Sequence, residues 1–118
     1  MNDVRNITEL LGDGIADQLR DSVHAVAGAL PGEYHFEAVD LSYENRKKGG
    51  RTLYDEAVNS MLQTSIGLKY PTATIEESPN AILRKLLKFS VIHRPVTTIP
   101  GIKTNFSGKI DLDIVRVA

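Results

Sequence analysis

The run Ser78-Pro79-Asn80-Ala81-Ile82-Leu83-Arg84 carries the most informative spacing in the chain. Serine is favoured just before a helix and proline at its first position, so the pair predicts a helix start. On that helix Asn80 and Arg84, four residues apart, share one face above an end with free N–H groups and partial positive charge. An amide and a guanidinium placed there can grip a carboxylate. The plainer alternative is a well-formed helix start with no ligand. Arg94 stands in the apolar segment Val91-Ile92-His93-Arg94-Pro95-Val96, and Arg116 in Ile114-Val115-Arg116-Val117. Burying a guanidinium without an anion is costly, so each either points into a site or pairs with Asp111 or Asp113, and Arg116, close to the terminus, alternatively reaches solvent.

Other chemistries find less support. The chain has no cysteine, which excludes a disulfide scaffold, thiolate metal ligands and a cysteine nucleophile. His24, His35 and His93 show no His-x-x-x-His or His-x-x-Glu spacing, so no zinc site and no histidine base are expected. Ser78 has no base near it in sequence, and no catalytic residue is assigned. Gly12-Asp13-Gly14 could receive a phosphate or nucleotide, but tight turns use glycine for their own geometry, and a turn is the expectation.

The elements that must position these residues follow from periodicity. Val4 to Leu11 is a short apolar strand closed by the glycine turn. Ile15, Leu19, Val23, Val26, Ala27 and Leu30 form one helical stripe, ended by Pro31-Gly32. Tyr34 to Val39 alternates as a strand. Leu41 to Gly50 is polar, contains Arg46-Lys47-Lys48 and reads as an exposed loop. Leu53, Ala57, Val58, Met61 and Leu62 mark a second helix, with a short strand from Ser65 to Tyr70. The helix opened by Ser78-Pro79 places Ile82, Leu83, Leu86 and Leu87 on one side, and Val91 to Ile99 and Ile110 to Val117 are two further strands. Strands alternating with helices define an α/β fold, a mostly parallel sheet with flanking helices. No helix follows the last strand to cover that sheet.

With 118 residues and 13.0 kDa, the chain is expected to be a single domain over 1–118, with one core and no second lobe. A formal charge of −1 gives no global field for nucleic acid. The distribution is uneven: residues 1–60 carry −5 and residues 61–118 carry +4, so an anion is expected on the second half. No stretch approaches the roughly 18 apolar residues of a membrane span, and the first residues do not resemble a leader, so a cytoplasmic protein is expected.

Taken in order, five segments resemble the isocitrate/isopropylmalate dehydrogenase family of metal-dependent β-decarboxylating enzymes. Ile7 to Gln18 resembles its opening strand and Gly-Asp-Gly-Ile-Gly-Pro-Glu turn, and Lys69 to Thr74 its Lys-Gly-Pro-Leu-Thr-Thr segment. Ser78 to Lys85 resembles the substrate helix, Arg94-Pro95-Val96 the next strand, and Asp111 to Arg116 the strand before Arg-Glu-Asn. The Ser-x-Asn pair favours isocitrate over isopropylmalate members. The resemblance covers nearly all of the chain and about the first third of such an enzyme. Local departures are Ala16-Asp17-Gln18 for Gly-Pro-Glu, Lys69-Tyr70-Pro71 for Lys-Gly-Pro, and Ile75-Glu76-Glu77 for a glycine-rich loop.

The resemblance implies a tricarboxylate site in which Ser78, Asn80, Arg84, Arg94 and Arg116 contact carboxylates. It also implies that the Tyr/Lys acid/base pair, the aspartates for Mg²⁺ or Mn²⁺ and the adenine-binding segment have no counterpart within the 118 residues. No cofactor is therefore expected for the isolated chain, and NAD(P) with a divalent metal only if a partner chain completes it. The leading expectation is a catalytically incomplete isocitrate-dehydrogenase-like domain acting in an oligomer. The alternatives are one piece of a split NAD(P)-dependent oxidative decarboxylase and a non-catalytic interaction module. Partners are expected to be copies of itself or a complementing dehydrogenase chain, with a small carboxylate as ligand and neither nucleic acid nor membrane.

Overall fold

The computed structural model describes residues 4–106 and 108–117, in two compact units, Met1–Leu86 and Leu87–Ala118. In the first, β1 (Val4–Leu11), β2 (Glu33–Asp40) and β3 (Gly67–Lys69) form a parallel sheet in the order β2-β1-β3. β1 runs beside β2 in register from Val4↔Glu33 to Leu11↔Asp40, and beside β3 from Thr8↔Gly67 to Leu10↔Lys69. The helices are α1 (Ala16–Ala29), α2 (Tyr43–Thr64) and α3 (Pro79–Leu86). This is the expected parallel layer with flanking helices.

Alternation along β1 sorts its side chains between the two helical layers. Thr8 and Leu10 are fully buried on the α2 side, where the Thr8 hydroxyl meets Ser60 Oγ at 2.7 Å and Thr64 Oγ1 at 2.8 Å. Leu10, Val39, Leu41, Leu53 and Ala57 make the core there. Ile7 and Glu9 face the α1 side. There the His24 ring stacks on Phe36 with centroids 4.3 Å apart, and its Nε2 lies 2.6 Å from Glu9 Oε1. The helical stripe of α1 is only partly covered, and Ile15 and Val26 are more than half exposed.

Residues 43–50 differ from expectation: they belong to a helix, not to a loop. Asp40 Oδ1 accepts the Ser42 N–H at 2.8 Å, the Ser42 carbonyl accepts from Arg46 N, and Lys47 pairs with Glu44 at 2.7 Å. The residue buried in this turn is Arg46, at 5% exposure, so the segment has an inward face without an apolar stripe. Gly50, at φ 54°, breaks the helix into two parts, a left-handed conformation that glycine adopts at little cost.

In the second unit, β4 (Val91–Thr97) and β5 (Asp111–Val117) pair only with each other, antiparallel, from Val91↔Val117 to Thr97↔Asp111. Every residue of β5 is exposed.

Candidate functional site

The carboxyl ends of the three parallel strands gather the polar residues of the first unit, the edge at which open α/β sheets carry ligands. β1 leads into Gly12-Asp13-Gly14, and this turn is held by the chain itself. Asp13 N donates to the Pro71 carbonyl at 2.7 Å, and the Asp13 carboxylate accepts the backbone N–H of Tyr43 at 2.8 Å and of Ala73 at 2.7 Å. The carboxylate thus ties the turn to the start of α2 and to the segment after β3, and the turn is a structural clamp. Lys69, at the end of β3, donates to the Tyr70 carbonyl at 2.9 Å and the Thr72 hydroxyl at 2.8 Å. Burial lowers its ammonium below the usual lysine range, Arg46 adds to this, and Asp13 opposes it.

Arg46 ties these segments together. Its Nε donates to the Leu41 carbonyl at 2.9 Å and a terminal nitrogen to the Ala73 carbonyl at 2.6 Å, while the other reaches Glu77 at 3.3 Å. Asp13 lies at 3.8 Å. Glu77 also accepts the Tyr54 hydroxyl at 2.6 Å. Burial, followed by this carboxylate, pushes the Tyr54 phenol up to about 12. Glu77, one of the two carboxylates that replace the glycine-rich loop, is neutralised by Arg46. No short-range pattern reveals Arg46, because its partner Glu77 lies 31 residues away.

α3 begins as expected. The Ser78 hydroxyl accepts the Ala81 N–H at 3.4 Å, and the Ser78 carbonyl accepts from Ile82 N at 3.1 Å. Asn80 is exposed and Arg84 half-buried, and among the described residues neither makes an internal side-chain hydrogen bond or ion pair. Leu83 anchors the helix at 4% exposure.

Arg94 and Arg116 lie in the β4–β5 hairpin and are exposed, not buried as their apolar neighbours suggested. Register puts them on one face: Arg94 opposes Ile114 and Arg116 opposes Ile92, so the two arginines are diagonal neighbours, about 7–8 Å apart at their Cα atoms. The other face holds His93, 2.8 Å from Asp113, and Thr97, which donates to Asp111 at 3.4 Å. Both aspartates have other partners, and among the described residues neither arginine forms an ion pair. The five sequence-predicted residues thus divide into Ser78, Asn80 and Arg84 on α3 in the first unit and Arg94 and Arg116 in the second.

A second cluster has no signature in the sequence. Glu9, only 2% exposed, receives the Tyr70 hydroxyl at 2.8 Å as well as His24. Burial and then Glu9 raise the Tyr70 phenol well above the usual tyrosine range. Tyr70 is the residue that replaces glycine in Lys-Gly-Pro. Among the described residues no group of three or more His, Asp or Glu is placed to hold a metal ion. Nor is any described helix long and apolar enough to cross a membrane.

This α/β segment is similar to the N-terminal part of isocitrate dehydrogenases. It is 29% identical over 117 residues to a regulatory chain of the mitochondrial NAD isocitrate dehydrogenase of Dictyostelium discoideum, covering 96% of this chain and 31% of that one. It is 30% identical over 116 residues to the NADP isocitrate dehydrogenase of Thermus thermophilus, covering 93% and 23%. The crystal structure of isocitrate dehydrogenase from Methylococcus capsulatus superposes with a TM-score of 0.75 at 27% identity, over 96% of this chain and 34% of that one. The chain therefore spans about a third or less of the length of these relatives. No protein-family model matches it.

Proposed function

We propose that the chain binds a small tricarboxylate of the isocitrate type through Ser78, Asn80, Arg84, Arg94 and Arg116, does not turn it over alone, and acts within an oligomer. The observation that carries this is the state of the four longer side chains. Among the described residues Asn80, Arg84, Arg94 and Arg116 have no internal partner, so no structural ion pair competes with a ligand for them. Similarity to isocitrate dehydrogenases over almost the whole chain supports the choice of ligand class. In this reading α3 directs its N-terminal N–H groups and partial positive charge at one carboxylate, with Asn80 donating its amide and Arg84 its guanidinium. Within the second unit, Arg94 and Arg116 present two further cations on one face of the hairpin.

NAD(P) and a divalent metal would supply hydride acceptance and Lewis acidity in the family reaction. None of the described residues is assigned to hold them. The same chemistry leaves open a complementing chain as the oligomer's other member.

The test is titration of the purified 118-residue chain with citrate or isocitrate. We expect a salt-sensitive rise in melting temperature with an affinity around 1 mM, because two or three exposed arginines attract carboxylates without dehydrating them. Arg84→Ala with Arg94→Ala should abolish the rise, and an unchanged rise in that variant removes the site. Isocitrate oxidation with NAD(P)⁺ and Mg²⁺, proportional to chain concentration in contaminant-free protein, overturns catalytic incompleteness.

A further inference from the structure

Between α2 and α3 lies a cavity of about 590 Å³, wholly within the first unit, that the carboxylate site does not use. Its size falls in the range of small-molecule pockets. α3 contributes Ile82, Lys85 and Leu86 to it. At 100° per residue these three lie on the side of the helix opposite Asn80 and Arg84, so the cavity and the proposed carboxylate site are back to back across one helix.

The charges of the lining can be paired off. Arg46 and Glu77 neutralise each other, and Lys47 is held by Glu44 at 2.7 Å while lying over the Tyr43 ring at 4.8 Å. This leaves Arg51 and Lys85, both exposed, against Glu76. Among the described residues neither Arg51 nor Lys85 makes an ion pair. Ile82, Leu86 and the tyrosines Tyr43 and Tyr54 supply apolar wall. A free cation is disfavoured there, a bare inorganic anion leaves the apolar wall unused, and a neutral apolar molecule leaves the two cations unused.

We propose that this cavity binds a small organic anion with an apolar body and one phosphate or carboxylate group, the apolar body against Ile82 and Leu86 and the anionic group between Arg51 and Lys85. The site is independent of the tricarboxylate reading, since it uses none of its residues.

The experiment follows backbone amide NMR signals of the whole chain during titration with phenyl phosphate and with benzoate, using inorganic phosphate and phenol as controls. We expect at least one of the two organic anions to shift signals confined to residues 43–54, 76–77 and 82–86, at least about tenfold more tightly than either control. The tighter of the two identifies the anionic group. Arg51→Ala with Lys85→Ala should weaken that binding at least about tenfold, with the dispersed native spectrum kept because both side chains are exposed. Arg84→Ala should leave it unchanged while weakening citrate, so failure of one site is distinguishable from failure of the other. Overturning results are no localised shift up to roughly 10 mM of either organic anion, equal binding of inorganic phosphate, or full binding by the double variant.

Discussion

Arg46 shows how one charged residue can organise a fold without appearing in its apolar pattern. Its guanidinium satisfies two carbonyls and faces two carboxylates from three separate segments. Removing it takes the donor from the Leu41 and Ala73 carbonyls and the cation from beside Glu77 and Asp13, so Arg46→Ala should cost about 3 kcal/mol, read as a lower urea midpoint at unchanged slope. The neighbouring Tyr54 carries a pH signature. Its phenol rises from 10.0 to about 12 on folding, so the folded state holds the proton more tightly than the unfolded chain. Its contribution is complete below pH 10 and is lost as pH climbs toward 12. Denaturation across this window should show stability falling with pH, and Tyr54→Phe should flatten the part of the fall due to Tyr54. An unaltered pH profile in the variant would exclude Tyr54 as a source.

Among the elements, the junction of β1 with the segment after β3 is the tightest. A Cβ at Gly12 would sit on the Pro71 carbonyl, which also accepts the Asp13 N–H. Backbone cannot yield there, so Gly12→Ala should destabilise by about 3 kcal/mol. At Gly67 the obstruction is the flexible end of Met61, and Gly67→Ala should cost less than about 1 kcal/mol. Equal thermal shifts for the two variants would contradict this distinction. α1, β2 and α3 were legible in the sequence because their inward-facing residues are apolar and periodic, or because Ser78-Pro79 marks a start, and β1 because a short run ends at a glycine turn, although its buried Thr8 and Glu9 are polar. The first turns of α2 were not, since their buried residue is Arg46. Asn80 and Arg84 could be read as neighbours because helical spacing is local. The surroundings of Arg94 could not, because apolar neighbours predict burial only when a second layer covers them, and both faces of the β4–β5 hairpin are largely exposed.

On the scale of the whole molecule, incomplete covering of the sheet is the property with the widest consequence. Between α1 and the Ile7–Phe36 face of the sheet lies an almost wholly apolar cavity of about 450 Å³, bordered by Leu19, Val23, Val26 and Leu30. Val26 and Leu30 are 61% and 50% exposed, so the helical stripe expected to enter the core is shared between core and surface. Among the described residues three helices, α1, α2 and α3, flank the sheet, and they leave this stripe partly in water. Removing such a surface from water is worth roughly 25 cal/mol per Å², enough to drive association of copies through a patch of several hundred Å². The purified chain should therefore sediment as a concentration-dependent oligomer at tens of micromolar. Val26→Glu, which places a charge on the stripe without touching the α2 side of the core, should shift it toward monomer with little loss of melting temperature at low concentration. A wild-type chain that stays monomeric throughout that range would show that the stripe is tolerated in water, and the proposed oligomer would lose its physical basis.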